Sequence, residues 1–288
     1  MQVGCASGVT LSPQGSVEGP LPSQAVADLE ATVLANRQVN PEYFHLVLRA
    51  SGPALSARAG QFFNLECPAS GEDTPYLRRP MSVFRADAQS SEVEFLYKVT
   101  GAGTRGLATL KEDHAIRIFG PLGNGFSLDA SWKNIVVLGR GVGLATLAPL
   151  AELAASSGLG VTAILSARSN ALLMSVERFA AAGATVEAVN DEDLTSHPEA
   201  VERLIRVLIE QNLADAFFTC GSNRLMLLLK RLAAEFNIPG QVAMEQQMAC
   251  GIGMCFCCVR NFDVGGKVEQ RRVCFEGPDF DLSEAVSW

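Results

Sequence analysis

The stretch Ile135-Val136-Val137-Leu138-Gly139-Arg140-Gly141-Val142-Gly143-Leu144-Ala145-Thr146-Leu147 reads as a short buried-type strand, a glycine turn and the start of an alanine-rich helix reaching about Ser157. In that context the turn is meaningful: Gly139, Gly141, Val142 and Gly143 set a helix N-terminus where backbone N–H groups meet a pyrophosphate. The spacing is not the dinucleotide G-x-G-x-x-G fingerprint. Downstream, strand patterns over 161–167, 184–189 and 216–219 alternate with helices. One helix carries Val201, Leu204, Ile205, Leu208 and Ile209 on a single stripe, and the next carries Leu225, Leu228, Leu229, Leu232 and Phe236. Alternating strand and helix predicts a parallel sheet with helical crossovers, hence a nucleotide-binding α/β domain. Cys220-Gly221 falls at the carboxyl end of one of its strands, where ligands of such sheets bind.

Upstream of the quoted stretch the period is two. Six strands are expected, over 31–39, 43–49, 61–67, 81–85, 93–99 and 115–119, with Val93, Phe95, Tyr97 and Val99 on one face and Glu94 and Lys98 on the other. Short strands separated by Gly and Pro predict a small antiparallel six-stranded barrel. The turn-rich Gly120-Pro121-Leu122-Gly123-Asn124-Gly125 marks the changeover. The expected fold class is therefore α/β plus β: a flexible tail over 1–28, a barrel over 29–127, an α/β domain over 128–242 and a small module over 243–288.

A length of 288 residues with 48% hydrophobic and 19% charged content excludes a disordered, collagen-like or coiled-coil chain. No apolar run approaches the roughly 20 residues a transmembrane helix needs. Lys and Arg total 23 against 31 Asp and Glu, a net charge of -8 that disfavours nucleic acid as a partner. The first 28 residues contain neither Lys nor Arg, so they fit neither a secretory signal nor a mitochondrial transit peptide, and a cytoplasmic protein is expected.

Five of the eight cysteines follow residue 249. A local group in a large chain points to a metal site and not to a disulfide framework. Cys250, Cys255, Cys258 and Cys274 are spaced C-x4-C-x2-C-x15-C. Plant-type 2Fe-2S centres use C-x4-C-x2-C with a distant fourth cysteine, because a tight loop wraps three thiolates while its amides face the sulfurs. Gly251 and Gly253 suit that loop. A zinc ribbon is the competing reading, but zinc sites pair their cysteines in two short knuckles and the second is missing here. Cys257 competes with Cys258 as a ligand, and the x2 spacing favours Cys258.

Leu77-Arg78-Arg79-Pro80-Met81-Ser82 opens a barrel strand, and an Arg fork with a Ser hydroxyl near it suits a diphosphate. Alone, such an Arg-rich loop is more often a solvated edge. Tyr97 and Lys98 lie on the partner strand, where core packing also explains Tyr97, and Gly101-Ala102-Gly103-Thr104 offers further N–H groups to the same phosphates.

Taken together, these segments resemble the ferredoxin-NADP reductase superfamily and, within it, the electron-transfer subunits of class B dihydroorotate dehydrogenases. Three motifs carry the resemblance over about 31–280: Arg78-Arg79-Pro80-Met81-Ser82, Gly120-Pro121-Leu122-Gly123-Asn124-Gly125, and Met248-Ala249-Cys250-Gly251-Ile252-Gly253-Met254-Cys255 with Arg272-Val273-Cys274. It implies FAD lined by Arg79, Pro80, Met81, Ser82, Leu96, Tyr97, Lys98, Gly103 and Thr104. It also implies a 2Fe-2S cluster on Cys250, Cys255, Cys258 and Cys274, and NAD(H), or NADP(H), in the α/β domain with Cys220 packed near the nicotinamide. Arg140, Ala145-Thr146 and Ser222-Asn223 depart from the family pattern and leave the nicotinamide preference open. The implied enzyme is a flavin and iron–sulfur oxidoreductase subunit in a heteromeric complex, with no catalytic acid or base of its own. Its partner is a flavoprotein catalytic subunit acting in pyrimidine biosynthesis. A reductase component for a dihydropyrimidine-type dehydrogenase or an oxygenase is the alternative, and a zinc-stapled regulator a third.

Overall fold

The computed structural model describes residues 25–288. Most of the tail expected over 1–28 lies outside the described residues.

The antiparallel half contains β1 (Ala27–Gln38), β2 (Tyr43–Arg49), β3 (Phe62–Leu65), β4 (Arg79–Ser82), β5 (Arg85–Asp87), β6 (Glu92–Lys98) and β7 (Ala115–Leu122), with the short helix α1 (Ala102–Ala108) between the last two. The sheet order is β4-β3-β7-β1-β2-β6-β5. Seven strands therefore stand where six were expected, because the strand foreseen over 81–85 is split at Val83-Phe84. Val83 N–H donates to the Gln61 carbonyl and Phe84 N–H to the Glu94 carbonyl. The chain thus leaves β3 and joins β6, so two consecutive strands form the two ends of one curled sheet. Its interior is packed with Val33, Leu46, Phe63, Phe95, Tyr97 and Ile118, all fully buried.

The α/β half follows with β8 (Asn134–Arg140), α2 (Gly143–Ser156), β9 (Gly160–Ala167), α3 (Val176–Ala181), β10 (Thr185–Asn190), α4 (Pro198–Glu210), β11 (Ala216–Cys220), α5 (Asn223–Phe236) and β12 (Gly240–Ala243). The order β10-β9-β8-β11-β12 is parallel throughout. Both faces of β8 are buried, as a covered parallel sheet requires. Ile135 and Val137 pack with Leu144, Leu147 and Phe179 from α2 and α3, while Val136 and Leu138 pack with Ile205 and Leu229 from α4 and α5. The chain then forms the hairpin β13 (Val259–Val264) and β14 (Lys267–Arg272) and a turn of helix, α6 (Val273–Glu276). It rejoins the sheet of the α/β half as β15 (Asp279–Asp281), antiparallel to β12.

The face of β6 that carries Glu94 meets the α/β half. Glu94 is 8% exposed and Leu96 5%, since Phe84 and Leu96 join the core built on α2. Glu94 is held there by His45, whose Nε2 lies 2.7 Å from Oε2, and the Arg178 guanidinium stacks 4.0 Å from the centre of the Phe84 ring. No helix among the described residues is long and apolar enough to cross a membrane.

Candidate cofactor and electron-transfer site

A cavity of about 400 Å³ opens between the two halves. Its barrel wall is Arg79, Pro80, Met81 and Ser82 from β4, Leu96, Tyr97 and Lys98 from β6, and Thr104 from α1; Val142 and Thr146 of the helix α2 segment face them, with Met244 to Gln246 and Met248 below. The structure thus brings together eight of the nine residues expected at FAD. The ninth, Gly103, lies directly under Arg79: a Cβ there would stand 2.7 Å from Arg79 Nε. Arg79 itself donates to the Leu77 carbonyl at 2.5 Å and meets no carboxylate among the described residues, so a cation is left for an anion. Arg78 is spent, in a two-pronged contact with Asp28 at 3.0 Å for each nitrogen. The Tyr97 ring belongs to the barrel interior, where its hydroxyl lies 3.1 Å from Asn36 Oδ1. Thr104 Oγ1 accepts from the N–H groups of Thr100 and Gly101 at 2.8 and 3.1 Å, capping α1. An unpaired guanidinium over a glycine, beside a capped helix start, fits a flavin diphosphate.

A second cavity of about 240 Å³ lies at the carboxyl ends of β8 and β11, where the strand order reverses, and is lined by Arg140, Gly141, Val142, Arg168 and Gly221 together with Glu42, Tyr43 and Lys98. Gly143 starts α2 so close to the end of β11 that a Cβ there would stand 2.5 Å from the Cys220 carbonyl, and Gly139 is packed under Leu144 and Leu147. Cys220 is buried beneath the turn, and burial pushes its thiol well up. The departure at Arg140 has a local explanation. Its guanidinium reaches across the strand ends to Ser166 Oγ at 2.8 Å and to both oxygens of Asp191 at 3.2 and 2.5 Å, while Arg224 meets Asp191 at 2.8 Å. Burial would raise the Asp191 carboxyl, but Arg140, Ser196 and Arg224 outweigh it and hold it below the carboxylate range. Across the cavity mouth Glu42 joins Lys98, at 2.8 Å, to Arg168. Nothing in the sequence pattern announced Asp191, Arg224 or Glu245, which borders both cavities; they come together only when separate strand ends meet.

The cysteine loop packs on the barrel. Gly251 takes φ +75°, and a Cβ there would lie 2.5 Å from Asn64 Nδ2 on β3, so the loop follows the barrel wall only with glycine at this point. Burial would raise the Cys250 thiol, but N–H groups of Cys255, Ile252 and Met254 and the Cys255 thiol bring it down to about 6. Cys274 accepts from Gly253 N–H at 3.2 Å, and Cys274 N–H donates to Cys258 Sγ at 3.3 Å. Burial, reinforced by Cys258, pushes the Cys274 thiol up to about 12. Cys257 turns elsewhere, its Sγ 3.7 Å from the Gln247 carbonyl. The four cysteines therefore group as Cys250 with Cys255 and Cys258 with Cys274. Among the described residues no three metal-ligating side chains converge on one point. Two pairs suit a centre with two irons, whereas tetrahedral zinc draws four ligands around a single ion.

Residues 245–286 match the model of the iron-sulfur cluster binding domain of dihydroorotate dehydrogenase B. The electron transfer subunit of dihydroorotate dehydrogenase B (NAD(+)) from Enterococcus faecalis is 31% identical over 261 residues, covering 88% of this chain and 97% of that protein. The chain belongs to that family. It is thus the electron-transfer subunit of an oxidoreductase and carries the iron–sulfur module of the family. The corresponding subunit from Desulforamulus reducens is 30% identical, over 89% of this chain and 97% of its own. In fold, the subunit is similar to the NADH-dependent reduced ferredoxin-NADP oxidoreductase of flavin-based electron bifurcation, with a TM-score of 0.73, 24% identity and coverage of 88% of each chain. The ferredoxin reductase of carbazole 1,9a-dioxygenase is more distant, at TM-score 0.61 and 18% identity over 76% of this chain and 68% of that one.

Proposed function

We propose that this chain carries electrons between NAD(H) and a partner flavoprotein that interconverts dihydroorotate and orotate in pyrimidine biosynthesis, using FAD and a 2Fe-2S cluster, in the cytoplasm where thiolate ligands stay reduced. The observation that carries this reading is the position of the 400 Å³ cavity. It shares Lys98, Val142 and Glu245 with the strand-end cavity on one side, and on the other it reaches Met248, two residues before Cys250.

In this reading 29–127 hold FAD, 128–242 the nicotinamide and 243–288 the cluster. Held between Arg79 to Ser82, Leu96 to Lys98 and Thr104, FAD would supply two-electron chemistry toward nicotinamide and one-electron chemistry toward the cluster. Arg79 holds the flavin diphosphate, with Gly103 giving it room and Thr104 fixing α1, while Pro80, Met81, Ser82, Leu96 and Lys98 shape the ring chamber. Gly141, Val142 and Gly143 present the α2 N-terminus to the dinucleotide, and Cys220-Gly221 close the floor. Cys250, Cys255, Cys258 and Cys274 hold the cluster.

Replacing Arg79 by Ala tests the flavin placement. FAD binding should weaken roughly ten- to a hundredfold, since a charge-assisted hydrogen bond contributes about 1.5–3 kcal/mol. Unchanged affinity in a fluorescence titration would move the diphosphate elsewhere. The nicotinamide preference is tested at Arg168. Its exposed pair with Glu42 is of the kind that contributes little, and NADH is the expected substrate, so Arg168→Ala should leave the kcat/KM ratio of NADH to NADPH unchanged within about threefold. A loss confined to NADPH would assign Arg168 to a 2′-phosphate.

A further inference from the structure

The flavin cavity shares Arg79, Pro80, Glu245, Gln246 and Met248 with a neighbouring cavity of about 610 Å³ that extends to Trp288. FAD joins two ring systems through a pyrophosphate, and Arg79, the cation free to hold that pyrophosphate, stands in the wall common to the two chambers. The outer chamber has the chemistry of a base site. Gln246 and Gln247 offer uncharged amides, Leu77 and Pro80 an apolar edge, and Arg78 is neutralised by Asp28. Trp288 is anchored by its N–H on Asn223 Oδ1 at 3.2 Å. The Arg260 guanidinium lies over its ring, 4.8 Å from the centroid, and the residue is still 49% exposed. The strand-end cavity differs: its cations Lys98, Arg140 and Arg168 suit a second dinucleotide's phosphates.

We propose that Trp288 is the stacking platform for the adenine of FAD, with Gln246 and Gln247 beside its ribose. The inference rests on the FAD reading above. Stacking of a base on an aromatic ring is lost on truncation to alanine, with a weakening of roughly ten- to a hundredfold. FMN, which keeps the flavin and one phosphate but lacks adenosine, separates this role from a general one. The full chain, stripped of flavin, is titrated with FAD and with FMN by flavin fluorescence. Trp288→Ala should lose FAD affinity by tenfold or more and leave FMN affinity unchanged, and Trp288→Phe should restore FAD binding. Equal losses for FAD and FMN, or unchanged FAD affinity with a raised KM for NADH, would overturn the proposal. A wild-type chain that binds neither flavin would instead overturn the FAD reading on which it stands.

Discussion

The unmodified chain is expected to show iron–sulfur absorption with two irons and two acid-labile sulfides, and replacement of Cys250 or Cys274 by Ser is expected to abolish it. Each cysteine belongs to one of the two pairs, and losing one member of either pair leaves one iron with a single protein thiolate. Cys258→Ser should do the same, because its sulfur is buried against the Cys274 amide. Cys257→Ser should keep the cluster, its thiol being turned to the Gln247 carbonyl. Iron and sulfide analysis of the four variants is the check. Loss in Cys257→Ser with Cys258→Ser intact would exchange the two assignments, and one zinc without sulfide would end the iron–sulfur reading. Assembly should also depend on pH in a definite direction. Cys250, near 6, is already thiolate at neutral pH, whereas Cys274, near 12, must give up a proton to bind. Binding therefore releases protons, and cluster affinity should rise as pH rises.

The isolated chain is expected to transfer electrons from NADH to artificial acceptors and to show no turnover of dihydroorotate. The three histidines cannot form an acid–base site together. His45 is engaged with Glu94 between the two halves, His114 accepts from the Lys111 N–H at 3.3 Å, and His197 precedes α4. What the chain does offer is an apolar surface around the cysteine loop: Met254 is 76% exposed, Phe256 64% and Phe275 47%. Such a surface beside a one-electron carrier suits burial against the subunit that receives the electrons. Steady-state assays of the chain alone and coexpressed with its genomic neighbour decide the matter. Full ring-substrate turnover by the chain alone would sink the assignment to an electron-transfer subunit.

The glycine turn at 139–143 and the cysteine spacing were legible because each depends on residues close together in the chain. The stripes on α4 and α5 were legible for the same reason, with Val201, Ile205, Leu225 and Leu229 all buried. Phe236, at the end of its stripe, is 38% exposed and lies under Arg206 instead. Period-two reading separated the two faces of β6, with Val93, Phe95 and Tyr97 fully buried, but alternation does not say what covers the other face. Glu94 resembles a solvent-facing charge and is buried, with His45, forty-nine residues away, against its carboxylate. The split of β4 from β5 is equally invisible locally, being set by a change of partner from β3 to β6. Charge clusters such as Arg140, Asp191 and Arg224 lie beyond motif reading for this reason too.

Phe62 and Leu122 of the barrel lie in one core with Phe262, Cys258 and Cys274, and β15 ties the same module to β12. Nothing in this arrangement resembles a tether. A carrier on a flexible arm must diffuse between its donor and its acceptor, and its rate falls as the medium thickens. Here the distance from flavin chamber to cysteine loop is fixed by side chains packed as in any protein interior. Electron passage within the chain should therefore be indifferent to viscosity, so that added glycerol slows only the encounters with nicotinamide and with a diffusing acceptor.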